Sequence, residues 1–60
     1  MLYATILFKL ANGKYDAFTI GMQNAIHAES AAQCYAIGGG GRHDIVWAKV
    51  IIGGMVTFQV

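Results

Sequence analysis

The sequence predicts an α+β domain, an antiparallel four-stranded sheet carrying one short helix, in the order β-β-α-β-β. Three observations predict it. A β-rich run from Leu2 to Leu10 leads into Asn12-Gly13, the strongest short-range hairpin signal. A run of helix formers behind Ser30 stops at four successive glycines, Gly38 to Gly41. A second aliphatic run, Ile45 to Ile52, meets Gly53-Gly54 and a return segment, Met55 to Val60. Sixty residues leave room for one core, so residues 1–60 are read as a single α+β domain.

The first element is read as a hairpin. A two-residue type I′ turn at Asn12-Gly13 predicts that Ala11 pairs with Lys14, Leu10 with Tyr15, Lys9 with Asp16, Leu7 with Phe18 and Thr5 with Ile20, the last three pairs on one face. Leu2, Ala4, Ile6, Phe8 and Leu10 then line the other face. Met22 to Glu29 is open to two readings, a continuation of the second strand through Ile26 and Ala28 or a loop. Ser30 is the expected N-cap of a helix over Ala31–Ile37, and Gly38 its expected C-terminal cap. Strands are expected at Ile45–Ile52 and Met55–Val60, joined by a tight turn at Gly53-Gly54. So short a helix cannot cover a four-stranded sheet. The uncovered face is expected to present Trp47, Ile51, Phe58 and Val60 for self-association. Pro is absent, so the sheet edges lack one common guard against added strands.

Composition sharpens that expectation. Hydrophobic residues make up 57% of the chain and charged residues 12%, against roughly a quarter charged in an average soluble domain. A small domain has too little interior for so much apolar surface. Ordering the chain costs on the order of 1.5 kcal/mol per residue, which leaves a lone core of this size near break-even. The single cysteine, Cys34, makes no internal disulfide and is compatible with a reducing compartment. Assembly is the remaining source of stability.

The net charge of +1 offers no strong field, and Lys9, Lys14, Arg42 and Lys49 form no basic run, so nothing points to nucleic acid. Met1 to Leu10 has no basic n-region of a secretory signal. The most apolar tract, Ile45 to Val60, is interrupted by Lys49 and Gly53-Gly54 and is shorter than the roughly 20 residues of a spanning helix. The expectation is a soluble, cytoplasmic protein without a membrane partner.

No constellation of side chains points to catalysis. His27, Cys34 and His43 are the only soft metal ligands, and their spacing fits no compact zinc motif. Cys34, His43 and Asp44 lack the cleft that nucleophilic catalysis needs in so short a chain. The glycine run before Arg42 and His43 follows a helix, whereas phosphate loops precede one, and it has no Lys-Ser/Thr. Asp16, Glu29 and Asp44 are too scattered for an acid pair. The expectations are no catalytic residue, no metal and no cofactor. Tyr3 and Phe18 join Trp47, Ile51, Phe58 and Val60 as candidate partner or oligomer contacts, and Arg42 and His43 are candidate loop contacts.

Two resemblances bear on function. Ile26-His27-Ala28-Glu29-Ser30-Ala31-Ala32-Gln33-Cys34-Tyr35-Ala36-Ile37 resembles the strand-into-helix step of small phage proteins, in which a hairpin precedes an I-x-A-x-S-x-x-Q-x-x-x-I pattern and a strand follows. Certain anti-CRISPR proteins and a phage inhibitor of bacterial RNA polymerase are built this way. That resemblance covers about half the chain and implies a non-enzymatic inhibitor that docks on a host protein complex. It carries over no binding residue. Ile45-Val46-Trp47-Ala48-Lys49-Val50 is similar to the V-x-W-x-x-V strand of dodecins, flavin-storing assemblies whose tryptophan stacks on the flavin. Dodecins, however, run β-α-β-β with a longer helix. The leading expectation is therefore a phage or mobile-element binding module that acts as a homo-oligomer on a host complex. The alternatives are a flavin-like ligand carrier using Trp47 and a structural assembly subunit.

Overall fold

A computed structural model describes residues 2–60. The chain forms strands β1 (Leu2–Leu10) and β2 (Tyr15–Met22), helix α1 (Ala25–Ala36), a 3₁₀ turn (Gly39–Gly41), and strands β3 (Ile45–Ile52) and β4 (Met55–Gln59). The strands make one antiparallel sheet in the order β2-β1-β3-β4, so the predicted α+β class and element order hold. β1 and β3 are central; β2 and β4 are the edges.

The first turn corrects the expected register. Asn12 does not adopt the positive φ that a type I′ turn demands at both central residues; only Gly13 does, at +87°. The Gly13 N–H donates to the Leu10 carbonyl at 3.0 Å and the Leu10 N–H to the Lys14 carbonyl at 2.8 Å. This closes a three-residue loop with glycine in the left-handed position. Asn12 Oδ1 accepts from the Lys14 N–H at 2.9 Å. One extra loop residue slips the pairing by one, so Lys9 lies opposite Tyr15, Phe8 opposite Asp16 and Ile6 opposite Phe18. A one-residue slip reverses a strand's faces. Phe18 and Ile20 thereby join Ala4, Ile6 and Phe8, while Tyr15, Ala17 and Thr19 join Thr5, Leu7 and Lys9. The observed register separates greasy from mixed, which the expected one did not.

The helix also begins earlier than expected. Asn24, extended at φ −152°, accepts from the Ile26 N–H through Oδ1 at 3.1 Å, filling the cap role assigned to Ser30. Ser30 is an exposed mid-helix residue. Met22 ends β2, and capping six residues sooner makes Ala25–Glu29 the start of α1, where a continued strand through Ile26 and Ala28 or a loop was expected; it buries Ala28 together with Ala32, an i, i+4 pair on one helix face. The helix ends as expected: Ile37 is its last half-helical residue, and Gly38 turns left-handed at φ +100° with its N–H on the Tyr35 carbonyl.

Gly53 and Gly54, at φ +60° and +79°, form the expected tight turn. A register shift follows: Ile51 pairs with Val56, but Val50 pairs with Phe58, leaving Thr57 as an extra residue in β4. Beyond it, Val60 and Ala48 exchange backbone hydrogen bonds at 2.9 and 3.4 Å. A second irregularity lies where Lys9 faces Trp47 and Leu10 faces Ile45, which skips Val46 and leaves it exposed.

The core lies between α1 and the even-numbered side of β1 and β3. Its buried members are Ala4, Ile6, Phe8, Met22, Ala28, Ala32, Ala48 and Val50. Half of them are alanines, which bring the helix close to the sheet but contribute little apolar area. The side is finished by half-buried Leu10, Phe18, Ile20, Tyr35, Ile52 and Phe58. Phe8, Phe18 and Tyr35 meet pairwise at ring centroids of 5.6 to 5.7 Å, a separation at which aromatic pairs attract.

Candidate binding surface on the helix-free face

Cross-strand neighbours share a face, so the pairings lay out the side without a helix row by row. Tyr15, Lys9 and Trp47 form the first row; Ala17, Leu7, Lys49 and Gln59 the second. Thr19, Thr5, Ile51 and Val56 form the third, and Gly21 with Tyr3 the fourth. Among the described residues no helix or loop covers these rows. Tyr3 is 67% exposed, Tyr15 59% and Val56 54%; Leu7, Trp47 and Ile51 are half-exposed.

The first two rows interleave aromatic rings and cations. Lys9 Nζ lies 4.2 Å from the centroid of the Tyr15 ring and donates at 3.2 Å to both Tyr15 Oη and the Gly13 carbonyl. Lys49 Nζ stands 4.5 Å from the Trp47 centroid, and the Tyr15 and Trp47 rings are 6.0 Å apart. Each cation–π contact at an exposed site is worth about 0.5–1 kcal/mol, a weak preference for each lysine to stay over its ring. In the third row Thr5 and Thr19 share a hydroxyl hydrogen bond of 3.2 Å.

Charge is divided between the two sides. Among the described residues no carboxylate lies on the helix-free face. Asp16 faces the other way beside Phe8, Glu29 is on α1, and Asp44 precedes β3. Arg42 gathers two of them, with Nη1 3.0 Å from Asp16 Oδ2 and Nε 3.5 Å from Asp44 Oδ1, and its guanidinium lies 5.6 Å from the Phe8 ring centroid. The Arg42 hydrogen bond, helped by the Ala17 N–H, holds the Asp16 carboxyl below its ordinary value, and hydrogen bonds to Asp16 and Asp44 hold the Arg42 guanidinium above its own.

The residues singled out in the sequence divide between the two faces. Tyr3, Trp47 and Ile51 lie on the helix-free side. Phe18 sits beside Ile6 on the core side. Phe58 sits beside buried Val50, and Val60 beside Ala48. The expected grouping of Trp47 and Ile51 with Phe58 and Val60 fails because the Thr57 bulge turns the end of β4 over. Of the two loop residues, Arg42 is tied to Asp16 and Asp44, and His43 is exposed with its ring against Gly38. Among the described residues, no three of His, Cys, Asp and Glu come together as metal ligands, and no pocket opens. Among the described residues no helix is long and apolar enough to cross a membrane.

Sequence reasoning missed Lys9, Tyr15 and Lys49 as one array. The signal was present: a three-residue reading of Ala11-Asn12-Gly13 places Tyr15 beside Lys9. Comparison with family models, curated proteins and solved structures finds no match for this chain, and the surface is read from its own residues.

Proposed function

We propose that this chain is a small non-enzymatic binding module that acts as a homo-oligomer and docks on a larger protein complex, inhibiting it as the phage proteins it resembles do. The observation that carries this reading is the helix-free sheet face, where Tyr3, Leu7, Trp47, Ile51 and Val56 stand uncovered. Contiguous apolar surface of this kind marks interaction sites. Tyrosine and tryptophan dominate the energetic centres of protein interfaces because they bury large rigid areas while keeping a polar edge. Lys9 and Lys49, with no carboxylate beside them, favour a partner with an apolar patch flanked by acidic groups.

Affinity capture with the intact chain tests this. A host protein retained in stoichiometric amount by the native chain, and lost from the Tyr3→Ser/Ile51→Ser variant while its circular dichroism is unchanged, supports the proposal. Equal retention by both chains refutes the assignment of the face.

A second reading has its own observation. Trp47, with Lys49 at 4.5 Å and Tyr15 at 6.0 Å, could stack a planar anion such as a flavin. Riboflavin phosphate that leaves Trp47 fluorescence unquenched removes it.

A further inference from the structure

The two edges of the sheet differ. β4 is five residues long and broken by the Thr57 bulge, a feature that turns an edge away from new partners. β2 is eight residues long and pairs with β1 without interruption. It contains no proline, no lysine and one charge, Asp16, near its start. Hydrogen-bonded pairs alternate along an antiparallel ladder, and the Leu10 N–H bonds the Lys14 carbonyl. Asp16, Phe18, Ile20 and Met22 therefore direct their backbone groups at β1, while Ala17, Thr19 and Gly21 direct theirs outward. The Ala17 N–H is met by Asp16 Oδ1 at 2.9 Å. Thr19 and Gly21 lie on the unguarded part.

We infer that this edge pairs with the same edge of a second copy, antiparallel and centred on Thr19, making one eight-stranded sheet; the inference rests on the self-associating module proposed above and names its contact. The register is self-complementary. Thr19 meets Thr19 of the second copy and Ala17 meets Gly21, all with outward backbone groups, as a hydrogen-bonded pair requires; at Ala17 the N–H must exchange Asp16 Oδ1 for the Gly21 carbonyl. Phe18 then faces Ile20 on the core side, an aromatic–β-branched pair of the stabilising kind. Both are only half-buried in the single chain, and the pairing covers them. Charge agrees as well. The two Asp16 residues stay far apart, and each falls opposite Met22, two residues before the Asn24 cap.

An eight-residue strand is roughly 26 Å long. With the thinnest extent of the molecule at 15 Å, the edge covers at most about 400 Å² per copy, which makes this a weak, transient contact rather than a stable dimer interface. The dimer is thus expected to form only toward the top of a concentration series that runs from micromolar to millimolar. A two-fold axis normal to the sheet puts both helices on one side and joins both helix-free faces on the other, which doubles the docking surface.

Absolute mass by light scattering across a concentration series tests the contact. The native chain is expected to pass from one chain to two, and Thr19→Pro to stay single at every concentration with its circular dichroism kept. Proline there removes an outward N–H, at a position edge strands tolerate, together with the exposed Thr5–Thr19 hydroxyl hydrogen bond. As a second test, Thr19→Cys in a Cys34→Ser background is expected to cross-link into dimers on mild oxidation, since facing residues about 5.5 Å apart lie within disulfide reach. Val56→Cys in the same background is expected not to. A larger assembly unaffected by Thr19→Pro, or a Thr19→Cys chain that does not cross-link, overturns the β2 contact while leaving self-association standing. A native chain that remains single throughout overturns the contact and the homo-oligomer together, and leaves the docking face to be judged by partner capture alone.

Discussion

The two sides of the sheet are built from the same strands and do opposite work. On the helix side the centre is small or interlocking: Ala4, Ala28, Ala32 and Ala48 bring α1 down onto Ile6, Phe8 and Val50, and the large apolar side chains left exposed there, Leu2, Met55 and Val60, stand at strand ends. On the other side the strands present Tyr3, Leu7, Lys9, Tyr15, Trp47, Lys49 and Ile51 to solvent, with cations lying over rings. The first side concentrates stability in very few residues. The second carries surface that the fold does not need. A 60-residue chain rarely has apolar residues to spare, and leaving them uncovered points to a use outside the monomer.

The division can be broken most severely from the core side. Phe8→Ala removes the largest fully buried side chain, a change that costs about 3–5 kcal/mol and approaches the whole stability of so small a domain. The variant is expected to lose its circular dichroism signal at 25 °C, whereas Ile51→Ser is expected to melt within about 8 °C of the native chain. Similar losses from the two substitutions would show that the open face is structural.

A smaller effect tests the turn that sets the division. Gly13 is left-handed with open space around it, so Gly13→Ala meets no clash and only the backbone penalty, about 1–2 kcal/mol. A thermal melt should show a drop of several degrees. An unchanged melt would mean that the three-residue loop does not fix the β1–β2 register.

The smallest effect concerns the ion pair at the border. Because Arg42 holds the exposed Asp16 carboxyl below its ordinary value of 3.8, the pair stabilises the folded chain above that pH. The contribution is lost as pH falls through the lower folded value. Thermal melts from pH 7 down to 2 should show the native chain losing its advantage over Asp16→Asn only below about pH 4. A constant difference across the range would remove the ion pair from the account.

How much of this was legible depended on where one residue decided a geometry. Strand positions, the glycine stop at Gly38 and the Gly53-Gly54 turn follow from residue types that dictate φ, and the structure places them as read. The β1–β2 register was not legible from Asn12-Gly13, because the same dipeptide serves a two-residue and a three-residue loop; alternation decides, since only the latter puts Phe18 and Ile20 with Ile6 and Phe8. Ser30 was a sound cap in isolation, but Asn24 caps a longer helix that buries Ala28. The bulge at Thr57 has no residue signature, and it separated Phe58 and Val60 from Trp47 and Ile51. Half of the candidate surface was thus visible from composition, and the lysine–aromatic rows became visible only with register.

The most direct test uses the fact that Trp47 is the only tryptophan and lies on the open face. The chain labelled with 5-fluorotryptophan gives a single fluorine NMR signal, to which an unlabelled partner adds nothing. The free chain is expected to show the solvent isotope shift of a half-exposed indole, and to lose it, with a moved resonance, when the captured partner is added. A resonance that keeps its position and its solvent shift in the complex would contradict the claim that the helix-free face is where this protein binds.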